Sequence, residues 1–208
     1  MKLIRDAWEL IKENRTAYLV INAVYYGLVV LGMVYVGFNQ PLQQMLLKSI
    51  GQAFTAGPLS IVGTTYDKAQ IFPAIGLTFI VNLLLGSIAE ITVPSLVIPF
   101  SGFLMGIIRA VLWGLILSPA APSLRLAMIP HSLTLLLEGQ GYILALFAAY
   151  LQARAFLWPK SADVEGHLRG YLEGLKRTGK VYLLVTLVLA VSAIYEVLEV
   201  VILARMIH

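Results

Sequence analysis

Long apolar runs separated by polar stretches give this sequence its pattern. The first run extends from Thr16 to Phe38 without a charged residue. At about 1.5 Å per helical residue, such a run can cross a hydrocarbon core about 30 Å thick. The runs 71–92 and 93–117 follow each other directly, so they predict an antiparallel pair of transmembrane helices. The run 181–204 predicts one more span.

One run near the middle, 124–158, is too long for a single straight crossing, because as one helix it would measure about 52 Å. Pro130 near its start and a Gly-Gln-Gly cluster at 139–141 favour a break. We therefore expect a half-helix at 126–138, either re-entrant or interfacial, and a full span at 142–158.

These runs together predict an all-α fold, a polytopic membrane helix bundle in a single membrane domain covering residues 1–208. The composition agrees, because 59% of the residues are hydrophobic and only 12% are charged, about half the charged share of a soluble domain. The absence of cysteine excludes disulfide bonds and thiolate metal sites. The bundle is expected to have five transmembrane helices (16–38, 71–92, 93–117, 142–158 and 181–204) plus the half-helix 126–138.

The basic residues predict how the chain is oriented in the membrane. Ten of the fifteen form two groups, one in the N-terminal segment and one around the connection between the last two spans: Lys2, Arg5, Lys12 and Arg15, then Arg154, Lys160, Arg169, Lys176, Arg177 and Lys180. Five crossings with the N-terminus inside place both groups on the cytoplasmic side, where positive charge is retained. The sequence thus predicts an integral protein of the cytoplasmic (inner) membrane with its C-terminus outside.

Three segments outside the spans have patterns of their own. Residues 1–15 show an apolar stripe at helical spacing, which predicts a cytoplasmic amphipathic helix on the membrane surface or against a cytoplasmic partner. The connection 39–70 is long enough to be functional or folded onto the membrane. In the inner connection 159–180, Gly166, Gly170 and Gly174 weaken a helix but also permit close packing against another one.

A few ionisable residues interrupt the apolar helices. Charge within hydrocarbon costs a few kcal/mol per group on insertion scales, so such residues are retained where they pair or face water. We expect a buried cluster of Arg109 with Glu138 or Glu196, serving either as a packing lock or as a polar pathway. The predicted polar cluster comprises Arg109, His131, Glu138, Glu196 and Glu199.

The sequence contains no recognisable catalytic, cofactor or metal motif, so we expect neither an enzyme nor a cofactor. His131 has no second histidine at the spacing of a zinc helix, which favours a role in capping the half-helix. The net charge of +4 is explained by the inside segments and does not indicate a nucleic-acid partner. The expected partners are the lipid bilayer and other membrane proteins.

Three stretches carry a family resemblance. One is the run Phe79 to Leu83, which contains Asn82. The second runs from Pro99 to Gly106 and contains Ser101 and Gly102. The third is Ile129 to Leu135, in which Pro130 and His131 are followed by Ser132. In these stretches the chain resembles the stage II sporulation protein M family of integral membrane proteins, whose motifs are an Asn pair, Asn-Gly-Phe-x-x-Gly and Pro-His-Gly-x-x-Glu.

Several family positions are occupied by other residues here. Leu83, Ser101 and Ser132 stand where the family has Asn, Asn and Gly, and Leu135 stands at its Glu position. Glu138, on the same helical face as Leu135, is a candidate to replace that acid.

The resemblance covers about Ile71 to Val201 and implies a five-span membrane protein without known catalysis. Founding members work in a complex with peptidoglycan hydrolases during spore engulfment. The expected function is accordingly that of a non-catalytic scaffold or accessory subunit. The alternative is a transporter or permease subunit with a polar path near Arg109, Glu138 and Glu196.

Gly102 and Gly106 have the four-residue spacing of a helix-dimer motif. That spacing suits packing within the chain and also leaves a homo-oligomer open.

Overall fold

The computed structural model describes residues 2–57, 59–68 and 70–207; Met1, Pro58, Ala69 and His208 lie outside the described residues. It is 86% helical and has no strand within those ranges. The prediction of an all-α bundle is confirmed. The helices are α1 (Lys2–Glu13), α2 (Arg15–Gly37), α3 (Gln40–Thr55), α4 (Ser60–Asp67), α5 (Ile71–Ile80), a π-helix (Val81–Thr92), α6 (Val93–Val97), α7 (Ser101–Ile116), α8 (Met128–Leu157), a 3-10 turn (Pro159–Ala162) and α9 (His167–Ile207).

Four helical stretches are long and apolar enough to cross a membrane: Arg15–Gly37, Ile71–Val97, Met128–Leu157 and Pro159–Ile202. Helix α7 is apolar but has only 16 residues. Because an aqueous protein of this size does not carry so many long apolar helices, the chain is a helical membrane protein.

Helix α8 corrects the predicted half-helix at 126–138 and the separate span at 142–158, because it runs unbroken through both. Pro130 lies in the first turn of α8, where backbone N–H groups make no hydrogen bond within the helix, so the N–H that proline lacks is not needed. The glycines at the expected break are packing positions. A Cβ on Gly139 would approach the Tyr26 ring of α2 to 3.0 Å, and one on Gly141 would collide with Leu189 of α9.

The boundary between the second and third predicted spans also needs correction, from 92/93 to Ile98–Phe100. The helix continues through the π-helix into α6, and Pro94 stands where π hydrogen bonding changes to α. The chain then reverses through an extended Ile98 and a left-handed Phe100 at φ 67°. This tight reversal makes Ile71–Val97 and α7 antiparallel neighbours.

Helices α8 and α9 form the centre of the bundle and pack antiparallel along most of their length. Most of the predicted inner connection 159–180 is therefore helix, and the true connection is only 158–166. Gly170 and Gly174 allow the close approach, since a Cβ at either would collide with backbone of Ala155 or Gln152. The alternative that these glycines serve helix packing is thus confirmed.

The two ends of the bundle are covered differently. At one end, α1 buries Ala7, Leu10 and Ile11 against its neighbours, and Asp6 pairs with Lys180 of α9 at 3.7 Å. At the other end, α3 and α4 form a helical hairpin. Buried Gln43 ties it to the end of α7 by donating to the carbonyls of Ile116 (3.1 Å) and Ser118 (2.7 Å).

Candidate intramembrane polar cavity

A cavity of about 440 Å³ opens inside the bundle toward the α3–α4 end. Its walls come from α4, α5, the π-helix, α7, α8 and α9, and Phe54 of α3 contributes at the α3–α4 end. Most of the lining is apolar or aromatic, and a few ionisable and amide groups converge on it. The lining residues are Phe54, Leu59, Val62, Tyr66, Thr78, Val81, Asn82, Leu85, Gly86, Glu90, Arg109, Trp113, Leu117, His131, Glu138, Tyr142 and Glu196.

The structure brings four of the five predicted cluster residues to this cavity: Arg109, His131, Glu138 and Glu196. Glu199, the fifth, lies behind His131 and is buried, with its side chain 3% exposed. These side chains therefore surround one cavity, but the ion pairs among them differ from the predicted ones.

Arg109 of α7 forms its ion pair with Glu90 of the π-helix, which corrects the predicted pairing with Glu138 or Glu196. The reason is the reversal at Ile98–Phe100, which places these two residues level on adjacent antiparallel helices. Glu90 and Arg109 are almost equally far from Pro99 in the sequence, so a turn at Pro99 would have predicted that they pair. The predicted boundary at 92/93 placed the turn too early and hid this relation.

Tyr142 of α8 connects the two sides of the cavity. Its hydroxyl lies 2.8 Å from Glu138 Oε1 and 3.0 Å from Asn82 Oδ1, and the Arg109 guanidinium lies 4.3 Å from the centre of its ring. Gly86 makes room for this side chain, since a Cβ there would approach the Tyr142 ring to 2.7 Å. Arg109 and Glu138 therefore share a partner without bonding to each other. Tyr142 did not stand out in the sequence, because a tyrosine in an apolar helix resembles ordinary core.

Glu196 of α9 lies beside the α8 residues, where α9 also meets α4 and α5. Tyr66 and Thr78 are next to it, and their hydroxyls are 2.9 Å apart. Burial and the neighbouring Glu196 carboxyl both raise the pKa of Tyr66 above its usual value, so this phenol stays neutral and available as a hydrogen-bond donor.

His131 and Glu199 form a separate network at the rim. His131 Nδ1 lies 3.3 Å from Glu199 Oε2, to which Thr134 donates at 2.8 Å. Tyr195 of α9 donates to the carbonyl of Pro130 at 3.1 Å. These contacts hold the start of α8 against α9, and His131 is one of the residues that make them.

The residues of the three resemblance motifs divide between two regions. Asn82 and His131 line the cavity, whereas Ser101 and Gly102 lie at the start of α7. Gly102 donates to Ser95 at 2.9 Å, and a Cβ on Gly106 would approach Leu146 to 2.8 Å. Both glycines thus face helices of the same chain.

Across the described part of the chain, no three His, Asp or Glu side chains come together as a metal site. The cavity offers three carboxyl groups, one of which is paired with its arginine, and also a histidine, an amide, hydroxyl groups and aromatic rings. Such groups can hold a small molecule by charge, hydrogen bonding and stacking. No protein family, curated protein or solved structure matches this chain.

Proposed function

We propose that this protein is a transporter or permease subunit that binds a small solute in the cavity near Arg109, Glu138 and Glu196. The observation that carries the proposal is the cavity itself. A volume of about 440 Å³ is in the range of small-molecule sites, about 300–1,000 Å³, and its mixed lining is typical of them.

The proposal includes five crossings, with α7 as the fifth span. Its 16 residues measure about 24 Å, a length that a membrane protein accommodates by local thinning of the bilayer.

We further propose the inner membrane, with the N-terminus cytoplasmic and the C-terminus outside. The concentration of basic residues at the α1 end supports this orientation. Phe100, Tyr150 and Trp158 form an aromatic cluster of the kind found at either membrane interface, with the Phe100 ring centre 6.4 Å from each of the other two, which supports the placement of this end at a membrane surface.

The second candidate is an accessory subunit similar to stage II sporulation protein M. One observation favours it: Asn82 and His131, from two of the resemblance motifs, line the same cavity although they are far apart in the sequence. An accessory subunit would keep this polar centre closed to water and use it to hold the helices together.

The absence of cysteine allows a direct test, because a single introduced cysteine reports its own access to water. Val81→Cys places a thiol in the cavity wall. Leu84→Cys is the matched control, three residues away on the same π-helix, 48% exposed on the outside of the bundle and not part of the lining. Each variant is reconstituted in vesicles and treated with a membrane-impermeant, hydrophilic thiol reagent on one side at a time.

For a transporter we expect Val81→Cys to react from both sides, at unequal rates, while Leu84→Cys reacts slowly from either. Reaction of Val81→Cys from one side only would contradict transport, because the cavity would then be a one-sided pocket. Two equally unreactive variants would mean that the cavity is dry, which overturns the proposal in favour of the accessory subunit.

A further inference from the structure

We infer that the solute is an organic ammonium ion, a single positive charge on an apolar or aromatic body. The inference rests on the proposed function, because it assigns a ligand class to the same cavity. Three features of the walls carry it: the charge balance, the aromatic surface and the geometry of the carboxylates.

The charge balance of the cavity favours a cation. Arg109 is neutralised by Glu90, and His131 is held by Glu199 at the rim. Within the described residues, neither Glu138 nor Glu196 has a basic group within 4.0 Å. A carboxyl group inside a membrane is stabilised either by a proton or by a positive charge, and an ammonium ligand would supply that charge here. An anionic solute would find every basic group of the cavity already paired.

The aromatic walls favour an organic cation over a metal ion. Trp113 and Tyr142 meet edge to face with ring centres 5.5 Å apart, and Phe54 and Tyr66 contribute from α3 and α4. Tyr142 already accepts a cation on its ring, since Arg109 lies over it at 4.3 Å. Ammonium groups bind to such rings and give up water easily, whereas a divalent metal ion needs several oxygen ligands converging on one point.

The carboxylates of Glu138 and Glu196 are carried on neighbouring helices, α8 and α9, and both face the cavity. Glu138 is fixed by the Tyr142 hydroxyl at 2.8 Å, which orients it without neutralising it. An ammonium group between them would be paired, while its apolar body would contact the lining from the α3–α4 hairpin. This places the charge of the solute at the α8–α9 wall and its body beneath α3 and α4.

The test uses a matched pair of probes on the full-length Val81→Cys protein in vesicles. One probe is 3-hydroxyphenyltrimethylammonium, and the other is 3-tert-butylphenol, its neutral isostere. We expect the ammonium probe to slow modification of the cysteine at a concentration about tenfold lower than the isostere needs. Equal protection by both would overturn the inference, because it would show an apolar site that ignores charge.

Two carboxylate variants then locate the charge. Glu196→Gln in the Val81→Cys background should weaken protection by the ammonium probe about tenfold, and Glu196→Asp should restore most of it. Glu199→Gln, one turn away but outside the lining, should lower the melting temperature and keep the affinity. Loss of affinity in Glu199→Gln with none in Glu196→Gln would contradict the assignment.

Failure of the ligand class and failure of the proposed function give different results. If Val81→Cys reacts from both sides but neither probe protects it, the ammonium inference is wrong and the transporter proposal stands. If Val81→Cys does not react at all, the proposed function itself is wrong. Should the glutamine variant fail to fold, the comparison of the two probes on the Val81→Cys protein still decides the inference.

Discussion

At the scale of single residues, the charged side chains inside this bundle are divided into distinct sets. Arg109 with Glu90 and His131 with Glu199 form pairs, while Glu138 and Glu196 face the cavity. The two pairs join neighbouring helices, and in the Arg109–Glu90 pair each charge compensates the other in an environment that disfavours both. The paired residues thus stabilise the bundle, and the other two define its candidate site.

The Arg109–Glu90 pair gives a prediction at this scale. Arg109→Met leaves the Glu90 charge without a partner, and Glu90→Gln leaves the Arg109 charge without a partner. The double variant removes both charges. We expect each single variant to lower the free energy of unfolding, and the double variant to lose less than their sum, with a coupling of about 1 kcal/mol. Thermal unfolding of the four proteins in one detergent measures it. Strictly additive losses would contradict a stabilising pair.

Whether a charged residue would be paired could be predicted from the sequence only where its partner lies near in the chain. Glu90 was within reach of such reasoning, because only a short hairpin separates it from Arg109. Glu199 and His131 are 68 residues apart, and nothing local indicates that α9 brings them together. Long-range pairing depends on how the helices are arranged, which the apolar pattern does not specify.

At the scale of the elements, small residues decide where helices cross. Helices α2 and α7 meet at Gly32 and Gly114, and a Cβ on Gly32 would come within 2.9 Å of the Val111 carbonyl oxygen. A Cβ on Gly114 would collide with the backbone of Val29. Because backbone atoms cannot move aside as a flexible side chain can, these contacts hold the two helices at a fixed separation.

We therefore expect Gly114→Ala to lower the free energy of unfolding by about 1–3 kcal/mol through overpacking. Gly27→Ala on α2 is the control, since a Cβ there meets nothing within 4 Å and the alanine favours the helix. Chemical unfolding followed by circular dichroism distinguishes them. Similar free energies of unfolding for the two variants would show that α2 and α7 can move apart at little cost, which would contradict a fixed separation.

At the scale of the whole molecule, the two ends of the bundle differ in charge and in cover. The α1 end carries both groups of basic residues, joined across helices by Lys180 with Asp6 and by Arg154 with Asn14 at 2.7 Å. The opposite end has the α3–α4 hairpin above the cavity. This asymmetry gives the bundle a direction, and the hairpin becomes the outward face under the proposed orientation.

Labelling of single cysteines tests that orientation. Lys48→Cys and Arg125→Cys at the α3–α4 end should react with an impermeant reagent on intact cells, and Lys160→Cys should react only after permeabilisation. The reverse result would place the N-terminus outside. A difference between Lys48→Cys and Arg125→Cys would contradict the five crossings, because these positions are expected on the same side.

The sequence by itself determined that this is a helical membrane protein, because the length and apolarity of a run decide whether it can lie in hydrocarbon whatever its neighbours are. It also indicated which ionisable residues lie among the apolar helices. The tertiary structure decided the rest: that α8 stays continuous through Gly139 and Gly141, that Arg109 pairs with Glu90, and that a cavity remains beside Glu138. Each of these depends on the surface of a neighbouring helix, which local periodicity cannot encode.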